Sequence, residues 1–221
     1  MLKAFLGVLT TPLFFGVPIF LAAGTLNYPA GWAFISVFTL STAFLTLYLA
    51  KNDPALLQRR MQFGPHAEQR PAQRIIMILV MIGFALAPIL SSLDFRFGWS
   101  QVPTYSIVLG NLLVAASYGI FCEVMRENSF AAATIRVEST QKVVSSGLYG
   151  IVRHPMYAGS LVLMLGMPLA LASYWGLLAI IITLPVLHWR IIDEEKMLNE
   201  SLEGYSEYCD KIKYRMIPGI Y

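Results

Sequence analysis

The chain has 221 residues, 57% of them hydrophobic and 13% charged, with a formal net charge of +3 and a mean hydropathy of +0.61. An ordinary soluble domain is about 25% charged and about 45–50% apolar, so this is the composition of a membrane protein. Disorder, collagen, a disulfide scaffold and a coiled coil are excluded, since each needs high charge, periodic glycine, many cysteines or a strict heptad. The two cysteines, Cys122 in an apolar run and Cys209 near the C-terminal end, are expected to be free thiols. Without a basic-aromatic patch, the basic surplus reads as a topological signal and not as a nucleic-acid surface.

From Ala4 to Ala50 there is no Asp, Glu, Lys or Arg, which is room for two passes of about 20 residues, with a turn at Asn27-Tyr28-Pro29. Spans are expected near 5–26 and 31–50, then over 75–93 and within 105–122. A fifth apolar stretch, 155–189, is interrupted at Ser173-Tyr174 and predicts a helical hairpin with two rather short arms, spanning or re-entrant. The expectation is an all-α, polytopic helical bundle of about five to six membrane segments. Behind Met1-Leu2-Lys3 the apolar run is too long for a signal peptide and no cleavage site follows, so it reads as a retained first helix. Lys3, then Lys51, Arg59, Arg60, Arg70 and Arg74, then Arg126, Arg136, Lys142 and Arg153, and the basic residues from Arg190 onward all fall on one side. Only Arg96 falls on the other. Both termini are therefore expected on the cytoplasmic side.

Polar residues concentrate between Arg126 and His154 and again from Arg190 to Tyr221. The tail should open as a helix, because Ile191, Leu198, Leu202 and Tyr205 share a face, with Gly204 and Pro218 marking its weakening and end. Where the loop enters the membrane stands Gly147-Leu148-Tyr149-Gly150-Ile151-Val152-Arg153-His154-Pro155-Met156-Tyr157-Ala158-Gly159. Pro155 can start a helix without wasting a donor, and the free amides of that helix end suit an anionic or polar ligand. The ordinary structural reading is an interface arginine with an aromatic belt. A second string, Arg190-Ile191-Ile192-Asp193-Glu194-Glu195-Lys196, puts Arg190 and Glu194 on one helix face and turns Glu195 about 100° away. It is either a surface ion pair or polar machinery beside a membrane cavity. The third, Tyr205, Tyr208, Lys211, Lys213, Tyr214, Arg215 and Pro218, reads as an amphipathic element lying against headgroups.

There is no G-x-G-x-x-G, P-loop, H-E-x-x-H or CxxC pair, and His66, His154 and His188 lack metal-ligand spacing. A Rossmann site and a metal centre are thus not expected. No acid or base falls in the middle of an expected span, which argues against an ion pump or coupled transporter.

Taken together, Gly147-x-Tyr149, Arg153-His154-Pro155-x-Tyr157-x-Gly159, Arg190-x-x-x-Glu194-Glu195, Tyr205-x-x-Tyr208 and Arg215-x-x-Pro218 resemble the isoprenylcysteine carboxyl methyltransferase family. Its prokaryotic relatives fall in a wider group that includes phospholipid N-methyltransferases. The resemblance covers about 128–221. It implies a single membrane domain over 1–221, with N-terminal helices over 1–127 and an S-adenosylmethionine pocket of non-Rossmann type built by 128–221. By the same resemblance Gln141, Lys142, Val143 and Val144 line the cofactor site, as do Tyr149 and the His154, Pro155, Met156, Tyr157 loop. Glu194 holds the cofactor, Arg190 orients a substrate carboxylate, and Glu195 completes the acidic pair, so that Arg190 and Glu194 are the expected catalytic residues. A further cofactor contact is implied near 134–136. The resemblance implies S-adenosylmethionine-dependent O-methylation of the carboxylate of an isoprenylcysteine or similar lipophilic acceptor, with phospholipid N- or small-thiol S-methylation as the alternative, and with membrane lipid but no metal and no nucleic acid as partner. The N-terminal part looks like bacterial members, which implies a bacterial inner membrane.

Methyl transfer from a sulfonium is an in-line displacement for which the protein supplies position and electrostatics. A carboxylate nucleophile is ionised at pH 7 and needs no base, and Arg190 would grip it with two donors while Glu194 pairs with the cofactor ammonium. An amine or thiol acceptor would need a base, for which Glu195, His154 or a tyrosine is the candidate. A nicotinamide-dependent membrane reductase and a non-catalytic membrane protein are the readings of other classes.

Overall fold

Inside a bilayer every backbone donor and acceptor must be satisfied within its own segment, so long apolar runs become helices. The computed structural model describes residues 2–68, 70–134 and 141–221. Its helices, in chain order, are α1 (Leu2–Ala23), α2 (Pro29–Asn52), α3 (Pro54–Arg60), α4 (Pro71–Phe97), α5 (Thr104–Glu127), α6 (Pro155–Ala170), α7 (Leu178–Ser201) and α8 (Tyr205–Lys211); no strand occurs among the described residues. Five stretches, in α1, α2, α4, α5 and the segment Trp175–Ser201, are long and apolar enough to cross a membrane. The protein is a multi-pass helical membrane bundle. Four of the helices, α2, α3, α4 and α6, start at proline, whose missing amide costs nothing there.

The two ends of the bundle differ in chemistry. At one end the turns are sealed by a small polar knot: Asp94 accepts from Ser100 N (2.6 Å), Ser100 Oγ (2.7 Å) and Ser173 Oγ (2.6 Å). Beside it Tyr28 Oη donates to Leu171 O while its ring stacks on Phe95 at 4.0 Å. The knot leaves Asp94 fully buried yet satisfied. At the other end meet the start of α1, the end of α2, α3 and the end of α5, through Ala4, Leu49, Leu56, Leu57 and Met125. Nearly all the basic residues gather at this second end, as their placement along the chain predicts. Cys122 and Cys209 are both free.

The expected hairpin is present, but its arms are unequal. The first arm, α6, has 16 residues, about 24 Å at 1.5 Å per residue and short of a hydrocarbon core about 30 Å thick. A turn with Ala172 in the left-handed region (φ 53°) follows, closed by Ser173 N donating to Pro168 O at 2.9 Å. The second arm is not short, because α7 runs unbroken for 24 residues and absorbs the separate tail helix that the polar residues after Trp189 suggest. Charge at 190–196 marks where the polar region begins, and no residue there breaks the helical bonding.

Close helix approach rests on glycine, as it does in membrane bundles generally. A Cβ at Gly83 of α4 would lie 2.1 Å from Thr183 Oγ1 of α7, and one at Gly110 of α5 would lie 2.1 Å from the backbone nitrogen of Ala170 in α6. Backbone cannot swing aside as a side chain can. Gly110→Ala is therefore expected to force α5 and α6 apart at a cost of about 1–3 kcal/mol or more. A thermal melt of the detergent-purified variant checks this, and a melting temperature equal to that of the parent would mean the two helices yield freely.

Candidate active site

The shortness of α6 makes room for a cavity. Above its first turn lies a space of about 300 Å³, at the lower limit of small-molecule sites. Its floor is Pro155, Met156 and Tyr157, one wall is Arg190, Glu194, Met197 and Leu198 of α7, and another is 130–134 with Gln141, Lys142, Val143 and Val144. Tyr149, Tyr205 and Tyr208 close it. All but one of the expected cofactor residues thus line a single cavity. The exception is Glu195. Of the implied contact near 134–136, Thr134 lines the cavity, and the other two positions lie outside the described residues.

Glu194 and Glu195 part company because consecutive helix positions differ by about 100°. Glu194 turns to the cavity, where its Oε2 accepts from Tyr157 Oη at 2.5 Å. Its Oε1 has no partner among the described residues. Glu195 turns away and is buried among cations. Its Oε1 accepts from Arg153 Nε (2.8 Å) and meets His154 Nε2 (3.1 Å), and its Oε2 accepts from Arg215 Nε (2.9 Å). A carboxylate only accepts, so the His154 proton in this contact is on Nε2. Glu195 is therefore a structural cross-link and does not line the cavity where its cofactor contact is expected. His154 does line the cavity, its ring stacked on that of Tyr157 with centroids 5.6 Å apart.

The Glu195 knot explains the fate of the tail. Arg153 Nη1 also donates to Ile212 O (2.9 Å) and Lys213 O (3.1 Å), and the backbone amides of Arg153 and His154 donate to Tyr214 O and Arg215 O. Residues 212–215 are thereby strapped to the entrance of α6. Gly204, in the left-handed region at φ 81°, turns the chain back so that α8 folds over the cavity. Tyr205 and Tyr208 are buried, so the tail covers the site, contrary to the expectation of an element spread on headgroups. Tyr208 Oη donates to Tyr149 O at 2.7 Å. Asn128 Nδ2 donates to Tyr149 Oη at 3.0 Å, and burial pushes this phenol up to about 12. Burial likewise raises Tyr205 and Tyr208. Tyr205 Oη is buried with no nitrogen or oxygen partner among the described residues, and the Cys209 thiol lies near it.

Arg190 lines the cavity, but its donors are occupied. Nε donates to Tyr157 Oη (3.0 Å), Nη1 to Gln73 Oε1 (2.9 Å), and Nη2 to Glu68 Oε1 (3.1 Å) and Ala133 O (3.2 Å). Glu68 and Gln73 are fully buried. Gln73 Nε2 in turn donates to Asp193, which pairs with Arg70 at 2.8 Å. With four of its five N–H groups engaged, Arg190 has no free fork for a substrate carboxylate, so the two-donor grip expected of it does not fit this arrangement. It orders Tyr157, and through Tyr157 it orders Glu194.

Residues 105–203 match the phospholipid methyltransferase family. The match takes in α5, the cavity loop, α6 and α7. It covers a little under half of the chain, and it falls in the wider isoprenylcysteine and phospholipid methyltransferase group that the two motifs resemble. A Delta(14)-sterol reductase of Mus musculus is 32% identical over 93 residues, 40% of this chain. The match spans about a fifth, 22%, of that relative's length. The family match supports a membrane methyltransferase.

Residues outside the matched segment complete the site. Glu68 and Gln73 hold Arg190, Arg60 lines the cavity from α3, and Tyr205, Tyr208 and Arg215 come from the tail. The signal for Glu68 was an acid set among Arg59, Arg60, Arg70 and Arg74. Gln73 carries no comparable signal.

Proposed function

We propose that the protein is an S-adenosylmethionine-dependent methyltransferase acting on a lipophilic acceptor held in the membrane, with a carboxylate as the methylated group. The observation that carries the reading is Glu194, a carboxylate at the cavity wall with one oxygen held by Tyr157 and the other free of partners among the described residues. Such a group suits the ammonium of the cofactor's amino-acid part. The remaining lining fits the rest: Val143, Val144, Leu198 and Leu202 offer an apolar slot, and Tyr205 Oη, buried with no nitrogen or oxygen partner among the described residues, offers a hydroxyl to a polar ligand. When bound, the cofactor supplies a methyl group on a positively charged sulfur. Residues Tyr205 and Tyr208 of α8 line the cavity, and water kept out of it would strengthen the electrostatics inside. An acceptor carboxylate is ionised at neutral pH, so it would need no general base from this chain to take up the methyl group, the S–C electron pair staying with the sulfur. The cavity lies toward the basic end of the bundle, where a water-soluble cofactor would reach it, and a lipophilic acceptor would come from the bilayer.

A second reading rests on the similarity to the sterol reductase, namely a nicotinamide-dependent reductase in the same cavity. Calorimetry on the detergent-purified chain separates the two. Saturable binding of S-adenosylmethionine and of its demethylated product, with none of NADPH, is the expected result. Binding of NADPH without either adenosyl compound would replace the methyltransferase with a reductase.

A further inference from the structure

A second cavity, about 290 Å³, opens between α1 and α2 over α3. Its walls are apolar, with Gly7, Val8, Leu45, Leu49 and Leu57 among them, and Lys3 stands at its edge. One residue, Arg60, lines both this groove and the cavity beneath α8. Arg60 spends one donor, Nη1 on Ala131 O at 2.8 Å. Among the described residues its other side-chain N–H groups are unengaged and it forms no ion pair. The titratable groups that influence it are the phenols of Tyr149, Tyr118 and Tyr157, and burial lowers its pKa to about 10, which leaves it charged at neutral pH. A partly buried cation with no carboxylate beside it is costly unless a ligand supplies the anion. The contrast with Arg190, whose donors are consumed, is direct.

We infer that the groove between α1 and α2 holds the single apolar chain of the methyl acceptor and that Arg60 grips its carboxylate where the groove meets the cofactor cavity. The assignment rests on the methyltransferase reading for the carboxylate's fate, but the binding it describes is measurable without the cofactor. A planar carboxylate matches the free guanidinium edge. The apolar walls match a chain that a water-filled site would reject. Gly7 matters because it lines this groove and a Cβ there meets nothing within 4 Å, so a side chain added at this point disturbs no packing.

Binding of radiolabelled oleic acid to the purified protein in phosphatidylcholine nanodiscs tests this, with oleyl alcohol, butyrate and oleoyl lysophosphatidate as competitors. Oleate is expected to bind saturably and to be displaced poorly by oleyl alcohol, which lacks the charge, and by butyrate, which lacks the chain. Arg60→Gln should weaken oleate at least tenfold, about 1.4 kcal/mol, and Arg60→Lys should recover part of the loss. Gly7→Leu, a helix-favouring change, should block the oleate chain while the fold is retained. Equal displacement by oleyl alcohol, an unchanged affinity in Arg60→Gln or in Gly7→Leu, or absence of oleate binding would each overturn the inference. Lysophosphatidate displacing oleate far better than oleate itself would overturn the carboxylate and assign a phosphate instead. S-adenosylmethionine binding, measured separately on the same sample, reports on the methyltransferase reading alone, so either can fail without the other.

Discussion

A chain carrying Glu195→Ala is expected to lose about 3–5 kcal/mol of stability, the usual effect of removing one partner from a buried ion pair. Glu195 is 8% exposed and is the shared acceptor of Arg153, His154 and Arg215. Its removal strands the buried Arg153 guanidinium and an imidazole N–H, and frees the partly exposed Arg215. Against a total stability of about 5–15 kcal/mol for ordinary proteins, the loss is large. It should concentrate in the tail, since Arg153 and Arg215 fasten 212–215 to the start of α6. Limited trypsin digestion follows this: faster cleavage at Lys211 and Lys213 in the variant, together with a lower melting temperature, is the expected pattern. Glu195→Gln keeps the shape and an acceptor but not the charge, and should fall between. A variant as stable and as protease-resistant as the parent would show that the knot holds nothing.

One residue earlier, Glu194→Gln should leave the fold intact and weaken S-adenosylmethionine about 10- to 100-fold. The amide oxygen of glutamine can still accept from Tyr157, so the cavity wall keeps its shape. What disappears is the charge that, in the proposed function, pairs with the cofactor ammonium. A hydrogen bond to a charged group contributes about 1.5–3 kcal/mol, and 1.4 kcal/mol is tenfold in affinity. Isothermal titration of parent and variant reads the difference, and a melting curve run beside it separates lost binding from lost fold. Unchanged affinity would remove Glu194 from the cofactor site and with it the observation on which the proposed function stands. Opposite outcomes at adjacent positions, binding lost at one and stability at the other, are the signature of a helix that divides the two carboxylates between cavity and core.

Hydropathy and charge are sums over short stretches of chain, and what depends on such sums was legible before any fold was known. The membrane helices, the breaks near Pro29 and Ser173, and the gathering of basic residues at one end are of this kind. So was the run from Gly147 to Gly159, because a short string carries its own turn residues and helix start. Direction was not legible. Whether Glu194 or Glu195 faces the cavity depends on how α7 is rotated about its axis, and that rotation follows from packing such as Gly83 against Thr183. The engagement of Arg190 by Glu68 and Gln73 joins residues more than 100 positions apart, which no local pattern encodes. The tail read as a surface element because its basic and aromatic residues suit headgroups equally well; only the placement of Arg153, His154 and Glu195 turns it inward. The sequence by itself therefore determined a helical membrane protein with its polar chemistry at one end. The tertiary structure alone decided which carboxylate faces the cavity and which braces the tail, and which arginine has its donors consumed, because those depend on distances between helices and not on order along the chain.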